Sequence, residues 1–290
     1  MAESVTSTAY GPMVVVALER TLPDQQRVVD DPLAYQMLPL YMRLMVKACS
    51  WKPMRQLFVN MTEKNSPGLW NGFPCRKRYI ADKTTESLAA SIQSVVILGA
   101  GLDTLAYRIQ QLAALRIYEV DLPENITYKK KQIEAIFGAV PAHVTLIPID
   151  FEKQNLEAAL KQAGYAFDEP GLFVWEGVTQ YLTEDAIRAT FQMLAKAKSG
   201  SRLIFTYVLQ DFIDGDNTYG LYSLYQRFRV KNKIWHFGLH PHDVGDFIGA
   251  YGWKVLEDVG ADEFSSRYLQ PAGRNEPIIQ IERTVFAEKT

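Results

Sequence analysis

The stretch SVVILGAGLDTLAYR, residues 94–108, read together with YEVD at 118–121, decides how this chain folds. A short, wholly apolar run ends in Gly-Ala-Gly. A helix-like segment comes next, and a second apolar run closes on Asp121, about 20 residues past the second glycine. That is the layout of strand, tight glycine turn, helix, and a second strand with an acid placed for a ribose. Gly99 and Gly101 let the backbone turn sharply and approach a ligand with no Cβ in the way. A dinucleotide turn carries a third glycine, where the helix N-terminus meets a pyrophosphate. Here Thr104 holds that place, and Asp103 before it repels a pyrophosphate. An acid there suits a ligand with an ammonium and a sulfonium, as S-adenosylmethionine has.

Composition narrows the class. A chain of 290 residues holds one large domain, or one domain with a sizeable appendage. A hydrophobic share of 48% is that of an ordinary globular protein. The net charge of −2 provides no basic field for nucleic acid. Cys49 and Cys75 fit neither a zinc site nor a disulfide framework, so the reading expects a reducing compartment. The apolar run at Val14–Val16 is too short to span a membrane and lacks the flanks of a signal peptide. A cytoplasmic protein with no membrane partner is expected.

Two regimes divide the chain. Up to about residue 90, prolines cut a Met-, Leu-, Tyr- and Arg-rich segment into short pieces, predicting a helical cap over residues 1–90. From Ser94 onward, strand-like and helix-like runs alternate. Strands are predicted near Val95–Leu98, Arg116–Val120, Val144–Ile149, Leu172–Glu176 and Arg202–Tyr207. Helices are predicted near Asp103–Leu115, Pro123–Phe137, Gln154–Ala163 and Glu184–Lys198, the last with Thr183 as N-cap. Apolar strands alternating with helices imply an α/β fold with a doubly wound, mostly parallel sheet covered on both faces. Residues 210–240 are aromatic and basic and read as a lid insertion. A helix over Pro241–Tyr251, a strand over Trp253–Val259 and a closing strand over Pro277–Phe286 complete the sheet domain, residues 91–290.

Further motifs stand in order: Asp31-Pro32-Leu33-Ala34, Cys75-Arg76-Lys77-Arg78-Tyr79, Leu98–Thr104, Tyr118–Pro123, Ile149-Asp150-Phe151, Trp175–Leu182 and Pro271-Ala272-Gly273-Arg274. On these the chain resembles the leucine carboxyl methyltransferase superfamily, in its bacterial S-adenosylmethionine-dependent branch related to polyketide carboxyl O-methyltransferases. It departs from that branch at Leu105, where many relatives carry arginine. The resemblance implies a seven-stranded Rossmann-like methyltransferase sheet and S-adenosyl-L-methionine as cofactor. It implies that Gly99 and Gly101 line the methionine part and that Asp121 accepts from the ribose hydroxyls. Asp150 would take the adenine amine, with Phe151 on the ring. Glu176 would lie by the amino acid or sulfonium end, Arg76 would reach the methionine carboxylate, and Tyr181 would face the substrate. The implied reaction is O-methylation of a small organic or polyketide-like acid, or of a hydroxyl.

Other readings of the same residues stay open. Arg76, Arg78, Lys231 or Arg274 can orient an anionic acceptor, and His236, His240 or His242 can serve a phenolic one. Asp121 before Leu122-Pro123 also reads as a helix cap, and Asp150 as another. His240 and His242 have no completing ligands, so no metal is expected. An NAD(P)-dependent oxidoreductase and a non-catalytic nucleoside-binding protein share the strand–glycine turn–strand–acid layout.

Overall fold

The computed structural model describes residues 9–290. Five helices precede the first strand: α1 (Tyr10–Glu19), α2 (Ala34–Met37), α3 (Leu40–Ala48), α4 (Lys52–Asn65) and α5 (Leu69–Leu88). The alternating part follows as β1 (Ser94–Leu98), α6 (Leu105–Arg108), β2 (Arg116–Asp121), α7 (Pro123–Phe137), β3 (Val144–Pro148), α8 (Leu156–Gln162), β4 (Gly171–Trp175), α9 (Glu184–Leu194) and β5 (Arg202–Val208). The insertion contributes α10 (Gln210–Asp214) and α11 (Tyr222–Tyr225). The chain closes with α12 (Val244–Gly249), β6 (Trp253–Val259), α13 (Ala261–Phe264) and β7 (Glu282–Lys289).

The seven strands form one sheet in the order β3-β2-β1-β4-β5-β7-β6. Strands β1 to β5 are parallel, and β7 lies antiparallel between β5 and β6. Every residue of β1 and β4 is buried. Successive strand side chains point to opposite faces, so the sheet is covered on both.

Local rules explain most elements. Helix α7 starts with Pro123 at its first position and stops at Gly138 in the left-handed conformation. Thr183 caps α9, its hydroxyl accepting from Ala186 N at 3.3 Å. Three expectations change. The predicted helix 103–115 breaks at Ile109, whose extended backbone separates α6 from a 3-10 turn over Gln110–Ala114. The predicted helix at 241–251 is a 3-10 turn over Pro241–Asp243 followed by α12. The closing strand begins at Glu282 instead of Pro277. Its expected first residues run over the start of α5, where Ile279 N donates to Gly68 O at 2.9 Å and Asn71 Nδ2 to Pro277 O at 2.8 Å. Ile278, Ile279 and Ile281 are buried, which produces the strand-like pattern, although Ile278 and Ile279 lie against the start of α5 and only Ile281 meets the sheet side, its carbonyl accepting from Leu209 N at 2.8 Å.

Helix α5 ends at Leu88 and belongs to two cores. Cys75, Tyr79 and Ile80 pack with the sheet, while Trp70 packs with α1 to α3. The insertion has its own aromatic packing, with Phe228 stacked on Trp235 at 5.0 Å. Both cysteines are free and buried, and burial pushes the Cys75 thiol up to about 12. Among the described residues, no helix is long and apolar enough to cross a membrane.

Candidate functional site

Chain order reverses between β1 and β4. In open α/β sheets, ligands bind outside the carboxyl ends of the strands at such a switch point. The glycine turn leaves β1 there, Asp121 ends β2, and Glu176 follows β4. All three border one cavity of about 780 Å3.

Gly99 N and Ala100 N both donate to Val120 O, at 2.8 and 3.0 Å, pinning the turn to β2. Gly99 and Gly101 both have positive φ, +68° and +42°. Their roles differ. A Cβ on Gly99 would lie 2.2 Å from Val178 Cγ2, so this glycine makes room for the chain itself. A Cβ on Gly101 would meet only Ala9 Cβ at 3.5 Å and Asp121 Oδ2 and Gly99 O at 4.0 Å, ordinary contacts that require nothing to move. Gly101→Ala should cost about 1–2 kcal/mol, the left-handed backbone penalty alone. Gly99→Ala adds overpacking of about 1–3 kcal/mol. Urea melts of the two variants measure the difference, and equal costs would refute the distinction.

Asp121 organises the turn. Gly101 N donates to Oδ2 at 2.5 Å, while Leu122 N and Asn125 Nδ2 donate to Oδ1 at 2.6 and 2.7 Å. Beneath the turn, the fully buried Lys129 donates to Glu119 at 2.8 Å and to Ala100 O at 3.3 Å. Tyr107 donates to the other oxygen of Glu119 at 2.7 Å. Burial raises the Glu119 pKa against the pull of Lys129.

A charge network forms the wall opposite. Arg76 Nε donates to Glu176 at 2.7 Å, and its Nη1 donates to both oxygens of Glu282 at 2.6 Å. Lys77 donates to Glu176 at 2.9 Å and to Asp103. Burial disfavours both cations, yet Glu282 and Glu176 raise the Arg76 pKa, and Asp103 and Glu176 raise that of Lys77. Burial likewise works against the Asp103 carboxylate, but Lys77 foremost, with Lys129 and Arg108, holds its pKa below the ordinary 3.8. The unfolded chain therefore takes up this proton first as pH falls. Stability present above about pH 4 is lost below it, at up to about 1.4 kcal/mol per pH unit for one proton. Asp103→Asn should flatten that acid limb by one proton; an unchanged slope in denaturant melts across this range would count against the pairing.

The other expected residues fall as follows. Asp150 and Phe151 border the cavity beyond β3. Asp150 accepts from Lys153 Nζ at 2.7 Å and from Glu152 N at 3.0 Å, and the Lys153 bond foremost lowers its pKa. The cap of α8 is Asn155, so Asp150 shapes the preceding turn instead. Tyr181 also borders the cavity, edge-on to Trp235 with ring centres 6.1 Å apart. Arg274 is not brought there. It is buried, donating to Glu19 at 2.8 and 3.1 Å and to Asn71, and so ties the C-terminal segment to α1 and α5. Arg78 pairs with Asp82 in solvent, and His236 and His242 are exposed.

Sequence reasoning missed Lys77, Glu282, Asn125 and Lys129. Glu119, the partner of Lys129, is a charge inside the apolar run 117–120 and was a usable signal, whereas Lys77 between Arg76 and Arg78 offers none. Glu282 meets Arg76 from 206 positions away, and no local pattern announces it.

The fold and this site together define a doubly wound α/β protein with a glycine turn on a cavity at the switch point of its sheet. The family model described as leucine carboxyl methyltransferase matches residues 9–195. A Mycobacterium marinum protein named "Putative S-adenosyl-L-methionine-dependent methyltransferase" is 32% identical over 263 residues, covering 88% of this chain and 84% of that protein. A Mycobacterium avium protein of the same name is 30% identical over 266 residues with the same coverage. The crystal structure of a "putative methyltransferase" from Thermobifida fusca shares the fold with a TM-score of 0.59 at 17% identity, over 94% of this chain and 97% of that one. This chain belongs to the leucine carboxyl methyltransferase family.

Proposed function

We propose that this chain transfers a methyl group from S-adenosylmethionine to a carboxylate oxygen of a small, largely apolar organic acid. It is an S-adenosylmethionine-dependent methyltransferase. The observation that carries the reading is the placement of Gly101 and Asp121 side by side on the cavity at the switch point of the sheet.

The residues present fit that cofactor. Six carboxylates and three cationic side chains border the cavity, an acidic excess that suits a ligand with two positive groups and one negative. Helix α6 is a single turn of four residues, a poor seat for a pyrophosphate, which disfavours a dinucleotide. In this reading Asp121 holds the ribose, Asp150 and Phe151 the adenine, and Glu176 the ammonium end. Arg76, already held by two carboxylates, steadies Glu176 and faces the methionine carboxylate. Gly99 supports the turn from behind.

When bound, the cofactor supplies a methyl on a sulfonium sulfur. The chain's part is to hold the acceptor in line and to exclude water. Phe58, Phe73, Leu224, Phe228, Trp235 and Ile281 form an apolar wall that does both. A carboxylate acceptor is ionised at neutral pH and needs no general base. Consistent with that, no histidine stands among the described residues lining the cavity. Tyr181 borders the acceptor's space.

The test is transfer of labelled methyl to a panel of fatty and aryl carboxylic acids, followed by mild base. Release of labelled methanol is expected. A label that resists base would move the acceptor to a hydroxyl, and no transfer beside intact binding of S-adenosylhomocysteine would leave only a binding protein.

A further inference from the structure

Helices α3 and α4 carry apolar side chains outward. Leu40, Tyr41 and Leu44 form a stripe on α3, and Met54, Leu57 and Met61 one on α4, at spacings of three and four. Trp51, 66% exposed, stands at the turn between them. Leu44 is 59% exposed and Leu57 55%. These seven are most of the large apolar side chains exposed among the described residues. Helix α4 has no fully buried residue along its 14 positions.

The charge of this segment is equally uneven. Residues 40–66 hold Arg43, Lys47, Lys52, Arg55 and Lys64 against Glu63 alone, a net +4 in a chain of −2. Glu63 is turned away, accepting from Gly68 N at 2.7 Å and Trp70 N at 3.1 Å. Lys47, Lys52 and Lys64 are exposed. Helix α4 reaches the cavity, since Phe58, Met61, Thr62 and Asn65 line it.

We propose that the α3–α4 face docks on an anionic lipid bilayer and brings the α4 wall of the cavity to its surface. Apolar side chains interleaved with lysines, with a tryptophan between them, match a headgroup region on both counts. A second copy of this chain is disfavoured, because an isologous pair would set +4 against +4. Aliphatic Leu and Met side chains offer little to a nucleic acid. The proposal departs from the expectation of no membrane partner and does not depend on which acid is methylated.

Flotation with phosphatidylcholine vesicles, with and without phosphatidylglycerol, tests it. At least tenfold more protein should float with the anionic vesicles, and raising salt should release it. Leu44→Glu with Trp51→Glu should reduce that fraction at least tenfold. Neither residue borders the cavity, so affinity for S-adenosylhomocysteine should be unchanged in calorimetry. Should the double variant fail to fold, the lipid and salt dependence of the natural chain decides. Equal or absent flotation with the two vesicle types would overturn the proposal. So would a dimer in sedimentation velocity that the double variant dissociates, which would assign the face to a second copy.

Discussion

Replacing Arg76 with methionine will lower the free energy of unfolding by about 3–5 kcal/mol, the range for removing one partner of a buried ion pair. The side chain is only 6% exposed, Glu176 8% and Glu282 14%. Without the guanidinium, Glu282 loses both of its bonds to Arg76, and Glu176 keeps only its bond to Lys77, which Asp103 shares. The packing of Arg76 over the Phe73 ring, 4.9 Å from its centre, goes as well. The deficit has a sign in pH. Carboxylates left without their cation bind protons more readily folded than unfolded, so the variant loses least at low pH and most above its raised carboxylate pKa values. Arg76→Lys keeps the charge but not the fork that serves two carboxylates, and should fall between. Guanidinium melts at acid and neutral pH measure all three proteins. A loss below about 1 kcal/mol would mean the network is screened like a surface pair.

The second large effect is on binding. Asp121→Ala should weaken S-adenosylhomocysteine binding at least tenfold, since each charge-assisted bond is worth about 1.5–3 kcal/mol. The geometry refines that number. A carboxylate has about four acceptor positions, and Gly101 N, Leu122 N and Asn125 Nδ2 fill three of them. One ribose hydroxyl fits as the structure stands, and a second requires one of these donors to yield. Asn125, a side chain instead of backbone, yields most easily. Asn125→Ala should therefore leave affinity almost unchanged, whereas Asp121→Ala should also unpin Gly101. Calorimetry on both variants decides. An affinity loss of less than twofold for Asp121→Ala would remove this acid from the ribose.

What was legible in the sequence follows from the range of the interaction involved. Strands β1 and β4 were readable because a strand buried on both faces must be apolar throughout, and β2, β3 and β5 because each keeps a mostly apolar run between helix-like segments. Helix α7 was readable because Pro123 and Gly138 mark its ends by backbone geometry alone. Gly99, Gly101 and Asp121 were readable because one turn and one strand end fix their relation. The pattern misled at Pro277–Ile279, where burial against a helix imitates a strand. Arg274, an attractive anion holder in isolation, sits instead with Glu19.

The sequence by itself determined the parallel α/β sheet, the glycine turn and the acid beside it, since each rests on neighbours within a few dozen residues. Only the tertiary structure decided which charges meet. It joined Arg76 to Glu282, put Lys129 under the turn, separated the tasks of Gly99 and Gly101, and left the face of α3 and α4 exposed among the described residues. Such pairings depend on where distant segments pack, and burial then makes them strong; no periodicity along the chain carries that information.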